Sequence, residues 1–206
     1  MAIETRRRQI EDAASLLFRE RGYAATSVRD IAQRLNLQGG SLYAHVASKE
    51  DLLWSIVGRA ADRFVAEVGP IAGSNAPAPD RLRRMIGAHV SVVTSAQRDA
   101  VVFLHEWRFL SGERRSEMAV RRDAYEALFR AVIAEGIAGA EFAPVDARMS
   151  AMVILSALNG IASWYRPDGA LTPHQIAEQY ADLFLRSLAC PPEIQPEAHA
   201  MTRTIT

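Results

Sequence analysis

An all-α fold is predicted for this 206-residue chain, and three observations carry the prediction. Wherever apolar residues are patterned they recur at i, i+3, i+4 and i+7, the spacing of one helix face. Several of these runs open on helix-cap signatures: Ser27 with Asp30, Ser48 with Asp51, and Thr172 with Gln175. No period-two alternation and no internal repeat occurs anywhere. The expected architecture has about nine helices, a compact three-helix unit followed by a larger helical unit.

The first cap sets a local geometry. The Ser27 hydroxyl can serve an orphan backbone N–H while Asp30 sits at the positive end of the helix dipole, so a helix begins at Val28. Val28, Ile31, Ala32 and Leu35 form its apolar face, with Ala32 small enough for the next helix to cross closely. Asn36 tolerates a left-handed backbone, and Leu37 returns an anchor to the core, so Leu35-Asn36-Leu37 is the turn. From Gln38 to about His45 a second short helix is polar outside and apolar at Leu42 and Val46. Ser48 then caps a helix running from Lys49 to about Val68. Two short helices across a three-residue turn make a helix-turn-helix at about 27–46, whose second helix suits a DNA major groove.

At these residues the chain resembles the TetR family of bacterial transcriptional regulators. The resemblance rests on Gly22-Tyr23, Thr26-Ser27, Ile31-Ala32, Leu42-Tyr43-Ala44-His45-Val46 and Lys49-Glu50-Asp51-Leu52, and covers roughly residues 5 to 60. Asn36 stands where glycine is usual, Gln38 where Ser or Thr is usual, and Val46 where phenylalanine is usual. The resemblance implies that Thr26, Ser27, Tyr43, His45 and Lys49 meet phosphates, which position a protein without reading sequence. By its own chemistry Gln38 can offer its amide bidentately to adenine, and Ser41 or the Gly39 backbone can approach a base edge beside Leu42. Blander readings stand alongside: Ser27 as an ordinary cap, Lys49 as a solvated cation and Gln38 as a polar side chain that merely meets water. Arg6, Arg7 and Arg8 equally suit a minor groove or a solvated helix start.

Composition is compatible with such a role. Net charge is zero, so nothing marks the whole chain as a polyanion binder. Residues 1–49 nevertheless hold eight Lys/Arg against five Asp/Glu, a local excess suited to a modest phosphate footprint. Cys190 is the single cysteine, which excludes an intrachain disulfide, and the start MAIETRRRQIEDAA lacks an apolar signal core. A cytoplasmic location is expected. The apolar stretch Met149 to Tyr165 is short for a membrane span and carries Ser150, Ser156, Asn159, Gly160 and Ser163, so a buried helix fits it better and no membrane partner is expected.

The stretch GPIAGSNAPAPD at 69–80 reads as a break. The expected organisation is a DNA-binding unit at 1–48, a connecting helix at 49–68, a ligand-binding and dimerisation unit at 80–190, and a disordered tail at 191–206. Helices are expected at about 81–96, 99–110, 113–138, 145–165 and 173–189, the last opened by Thr172-Pro173-His174-Gln175 with proline at its first position. One recognition helix reads only a few base pairs, so a homodimer on palindromic operator DNA is expected. The helix at 145–165 is apolar nearly all round, and by resemblance it pairs with 173–189 across the dimer.

The remaining helices raise a sensor question. Residues 101–110, VVFLHEWRFL, mix aromatic and charged groups and oppose a Leu82-Ile86-His89-Val93 stripe and another bearing Tyr125 and Phe129. His89, Val93, Phe103, Trp107, Arg108, Tyr125, Phe129, Met152, Asn159 and Trp164 are the candidate pocket residues, since an apolar cavity with a few polar groups can orient a small ligand. An aromatic core with Arg108 and Glu106 ion-paired reads as well. Asn159 followed by Trp164-Tyr165-Arg166-Pro167-Asp168-Gly169 and Leu171-Thr172-Pro173 resembles the acyl-CoA-responsive FadR/KstR/PaaR-like branch of the family. That implies a repressor released by an acyl-CoA thioester, its tail in the aromatic pocket and arginines such as Arg108 or Arg122 on phosphates. The alternative is a DNA-binding dimer whose C-terminal helices have no sensor role. No GxSxG, HExxH or P-loop occurs and the five histidines lack metal spacing, so no enzyme, metal or cofactor is expected.

Overall fold

The computed structural model describes residues 2–37 and 42–189. Among them are eight α-helices and one 3-10 turn, with no strand. The helices are α1 (Ala2–Arg21), α2 (Val28–Arg34), α3 (Lys49–Ala72), α4 (Ala78–Ser95), α5 (Gln97–Glu106), α6 (Gly112–Ala138), α7 (Ala147–Trp164) and α8 (Pro173–Leu188), with the 3-10 turn Trp107–Phe109 after α5.

The caps form as the residue types demand. At Ser27 the side chain accepts from Asp30 N–H while the Asp30 carboxylate accepts from Ser27 N–H at 2.7 Å. The Ser27 hydroxyl, donating to the same carboxylate at 2.6 Å, and then the Ser27 N–H hold the Asp30 carboxyl below its usual range. Ser48 caps α3 through Asp51 N–H, and Thr172 with Gln175 closes a reciprocal box around Pro173. Asn36 adopts φ 54, the left-handed conformation expected of the turn. Leu42 and Tyr43 are helical, with Leu42 and Val46 buried. Gln38, Gly39 and Ser41 lie outside the described residues, as does the tail from 190.

Two expected boundaries move. Helix α3 runs through Pro70 to Ala72 rather than ending near 68, so the break at 69–80 shrinks to residues 73–77. Pro70 falls in the last turn, where its ring suits the helical φ and costs one hydrogen bond. Pro77 and Pro79 bracket the start of α4, where free N–H groups are not needed. The helix expected at 99–110 stops at Glu106 and tightens into the 3-10 turn, after which Leu110 is extended and buried.

Helix α4 lies at the centre, against α3, α6, α7 and α8. Its stripe of Leu82, Met85, Ile86, Val90 and Val93 is fully buried, each side chain contributing about 1.5–3 kcal/mol of apolar transfer. Gly136 on α6 allows the closest approach: an added Cβ would fall 2.3 Å from the Phe142 ring and 2.9 Å from the Ala78 Cβ. A charged network ties α1 to the rest. Arg59 on α3 reaches Glu11 at 2.6 Å and Asp99 at 3.0 Å, and Ser15 donates to Asp99 at 2.6 Å. Burial alone would weaken the guanidinium's hold on its proton, and the two carboxylates more than reverse that. No helix among the described residues is long and apolar enough to cross a membrane.

Candidate DNA interface and ligand cavity

The turn from Gly22 to Ser27 positions the start of the helix-turn-helix, and the polar groups of Thr26 and Ser27 and the Tyr23 backbone are all engaged. Lys49 Nζ donates to the carbonyls of Tyr23 and Thr26, both at 2.9 Å, and rests 4.2 Å from the Tyr23 ring centroid. Thr26 is buried, its hydroxyl donating to Gly22 O at 2.9 Å and Leu17 O at 3.3 Å. Tyr23 stacks against Phe18 and Phe109, and burial, then the Glu50 charge, raise its phenol. In the free protein the Thr26 hydroxyl and the Lys49 ammonium, both expected at phosphates, serve the backbone of the turn. Among the described residues of the expected interface, Tyr43 is 58 % exposed, His45 is half-buried, and Ser27 is an exposed cap. Arg7 reaches Glu11, Asp51 and Ser55, which makes it a link between α1 and α3.

Besides Phe109, the residues Glu106, Ser111 and Arg114 reach this end of the molecule, the Arg114 guanidinium pairing with Asp51 at 3.2 Å. Glu106, the last residue of α5, accepts a hydrogen bond from Tyr23 N–H at 3.0 Å. Ser111 donates through its N–H and hydroxyl to Glu50, each at 3.0 Å. Immediately behind Glu106, α5 forms one wall of a cavity.

That cavity has a volume of about 220 Å3. Its walls come from α3 (Phe64), α4 (His89), α5 (Phe103, Leu104), α6 (Arg122, Asp123, Tyr125, Glu126) and α7 (Met152, Leu155, Ser156, Asn159). Phe64 and His89 are almost completely buried, whereas Asp123, Met152 and Ser156 are exposed and form a rim. The floor is aromatic: the Phe64 ring centroid lies 4.8 Å from His89, 5.6 Å from Phe103 and 5.6 Å from Tyr125.

Five expected pocket residues are brought together here: His89, Phe103, Tyr125, Met152 and Asn159. The other five sit elsewhere. Val93 and Phe129 are fully buried in the packing behind the wall, Arg108 is exposed, Trp164 is 45 % exposed at the end of α7, and Trp107 lies under the Arg122 guanidinium, 5.0 Å from its ring centroid. Sequence reasoning missed Phe64, because α3 reads as a connector. It also left Leu104, Asp123, Glu126, Leu155 and Ser156 out of the pocket. The signal for these was present, since 122, 125, 126 and 152, 155, 156, 159 are single helix faces at three- and four-residue steps.

The polar groups of the cavity are incompletely paired. His89 Nδ1 pairs with the Tyr125 hydroxyl at 2.9 Å, while Nε2, though buried, has no hydrogen-bonding partner. Burial pushes the imidazole pKa down to about 3, which the nearby Asn159 amide only partly opposes. Burial also pushes the Tyr125 phenol well above its ordinary range, so both groups are neutral. Arg122 forms no ion pair among the described residues; it lies over Phe103 and Trp107, and burial, then repulsion from Arg108, lower its proton affinity. Trp107 Nε1 is also buried without a hydrogen-bonding partner, and Glu126 Oε1 has none beyond a long 3.9 Å ion pair to Arg130. No group of three or more potential metal ligands occurs among the described residues.

An N-terminal helix-turn-helix joined to a helical cavity domain defines a regulator class, and comparison with known proteins agrees. Residues 10–56 match the family of bacterial regulatory proteins of the tetR type, and residues 75–188 match the tetracyclin repressor-like C-terminal domain. The chain belongs to the TetR family. It is 30 % identical over 185 residues to the HTH-type transcriptional repressor KstR2 of Mycobacterium tuberculosis (89 % of this chain, 92 % of the relative). The structure of that ketosteroid transcriptional regulator superposes with a TM-score of 0.85, covering 90 % of this chain and 96 % of that one. PfmR from Thermus thermophilus is 35 % identical with a TM-score of 0.79, covering 90 % of this chain and all of that one, 100 %. AibR, solved with isovaleryl coenzyme A and operator DNA, is 30 % identical with a TM-score of 0.78, over 91 % and 100 %. The protein is a DNA-binding transcriptional regulator and not an enzyme.

Proposed function

We propose that the protein is a ligand-responsive repressor that binds palindromic operator DNA as a homodimer and is released by an acyl-CoA thioester. The observation that carries the ligand response is the Glu106–Tyr23 hydrogen bond. Helix α5 supplies Phe103 and Leu104 to the cavity and ends on the residue that grips the turn before α2. A ligand that displaces α5 changes the placement of that turn, and the difference in affinity between the two arrangements sets the response. Arg122 and Arg108, which form no ion pair among the described residues, suit phosphates at and beyond the rim. The isovaleryl coenzyme A held by AibR is of the same ligand class.

At the DNA, Tyr43, His45 and Ser27 face phosphates, Gln38, Gly39 and Ser41 form the tip that meets bases, and Thr26 and Lys49 hold the turn that presents them; Leu42, expected beside the bases, is instead a fully buried anchor of the core. The dimer forms through α7 and α8, where Met149, Val153 and Leu183 are 56 %, 52 % and 63 % exposed in the single chain. A monomer at micromolar concentration in light scattering contradicts that dimer. The reading as a whole is tested by titrating fatty acyl-CoA and aryl-CoA thioesters into operator-bound protein: release by one class is expected, and no release by any of them removes the thioester while leaving the repressor.

A further inference from the structure

The His89–Tyr125 pair fixes which way hydrogen bonding points in the cavity. Each of the two groups has only the other as a partner on this side: the Tyr125 hydroxyl meets Nδ1, and nothing meets Nε2. If Nδ1 carried the hydrogen, Tyr125 would accept it, and both the Tyr125 O–H and the Nε2 lone pair would be left bare. If Nε2 carries the hydrogen, Tyr125 donates to Nδ1 and a single group remains unpaired. Leaving buried polar groups unpaired is costly, so the second tautomer is the one the surroundings select. Tyr125 remains protonated and His89 remains neutral under all ordinary conditions, because both are buried.

The bare group is thus a donor, an Nε2–H in the aromatic floor of the cavity, in a side chain only 1 % exposed. Asn159, another wall residue, is near enough to raise the proton affinity of the ring, yet Nε2 has no hydrogen-bonding partner. The floor around it is otherwise apolar: Phe64, Phe103 and Leu155. We infer that the moiety filling this cavity presents a hydrogen-bond acceptor, a carbonyl or hydroxyl oxygen, to His89 Nε2–H, and that His89 is a specificity-determining residue which discriminates oxygenated from plain hydrocarbon groups. This rests on the cavity being the ligand site of the function proposed above. It adds the chemistry of the group that enters. A purely hydrocarbon group would bury the donor permanently unpaired, while an oxygen at that point satisfies it. The oxygen can belong to the thioester carbonyl or to the acyl chain.

Two seven-atom probes of nearly the same shape test this without coenzyme A: cyclohexanone and methylenecyclohexane, titrated into the full-length protein and followed by nitrogen NMR of labelled histidine. The free protein is expected to show Nε2 protonated and Nδ1 bare at His89. The ketone is expected to bind about tenfold more tightly than the hydrocarbon, the discrimination an unpaired buried donor produces, and to shift the His89 Nε2 resonance. His89→Phe abolishes the preference. Tyr125→Phe, which keeps the ring and removes the tautomer-setting hydroxyl, weakens it. An Nδ1–H tautomer, equal affinities, or binding of neither probe at millimolar concentration overturns the inference. The source of the oxygen is separated by comparing hexanoyl-CoA with 3-oxohexanoyl-CoA in operator release. A gain for the oxo compound that disappears in His89→Phe places the acceptor on the chain; equal release, with both weakened by His89→Phe, places it at the thioester. Failure of every thioester to release DNA, with the ketone preference intact, strikes the proposed thioester and not the acceptor site.

Discussion

The turn at residues 22–27 and the cavity behind α5 differ in how their polar groups are served. In the turn, the Lys49 ammonium, the Thr26 hydroxyl, the Ser27 cap and the Tyr23 N–H all have partners inside the chain. In the cavity, His89 Nε2 is buried without a hydrogen-bonding partner, Glu126 Oε1 has only a long ion pair to Arg130, and Arg122 forms no ion pair among the described residues. Hydrogen bonds that are already made in the free protein hold shape. Unmade ones beside an apolar space are where a ligand gains free energy on entering, because the cost of leaving them unmade is removed. Under the proposed function, one region presents a surface and the other responds to a guest.

Lys49→Ala should break the first half of this contrast most sharply. Two carbonyls lose a charged donor, and we expect the fold to lose about 2 kcal/mol in thermal or urea unfolding, with operator affinity falling on every sequence alike. A variant whose stability is unchanged would return Lys49 to a phosphate contact alone. By contrast Gln38→Ala should alter base preference with stability unaffected, read from a panel of operator variants.

Acid should expose the second half. His89 is held neutral in the folded state with its pKa near 3, while in the unfolded chain it titrates near 6.5. The unfolded state therefore binds the extra proton first. The contribution is fully present above about pH 6.5 and is lost as the pH falls toward 3, at no more than about 1.4 kcal/mol per pH unit. Urea unfolding of wild type and His89→Phe between pH 7 and 5 should show this slope in the former and its loss in the latter.

Glu106→Gln joins the two regions and should have an intermediate effect. The bond to Tyr23 N–H loses its charge, and the ratio of operator affinities without and with ligand should shrink by about fivefold, or about 1 kcal/mol of coupling. A ratio that holds while both affinities shift together would show that the signal travels another way. The smallest effect on folding is expected for Arg122→Met. With no ion pair to break, unfolding should move by less than about 0.5 kcal/mol, while affinity for an anionic ligand falls; a large loss of stability would mark Arg122 as structural.

Much of this was legible in the sequence because helices announce themselves locally. The Ser27/Asp30 and Thr172/Gln175 boxes and the left-handed Asn36 are settled by neighbours within four residues, and they form as read. Boundaries near proline moved because Pro70 is tolerated in a last turn whose apolar residues still face the core. The pocket was half legible: His89, Phe103, Tyr125, Met152 and Asn159 were found through polar or aromatic character at helical spacing. Phe64 could not be, since its place in the wall depends on how α3 crosses α4 and α5. The engagement of Lys49 and Thr26 was also hidden, for both bond to backbone carbonyls, which leave no mark in a residue pattern.

The Glu106–Tyr23 contact has a consequence for mutational tolerance. Its donor is a main-chain N–H, which every residue except proline carries. Substitution at position 23 can disturb the aromatic packing around Phe18 and Phe109 yet leave this bond intact, whereas at position 106 the acceptor is a side-chain oxygen that, at this reach, only Glu or Gln supplies. A saturation scan of the link should therefore be one-sided: narrow at 106, broad at 23 apart from proline.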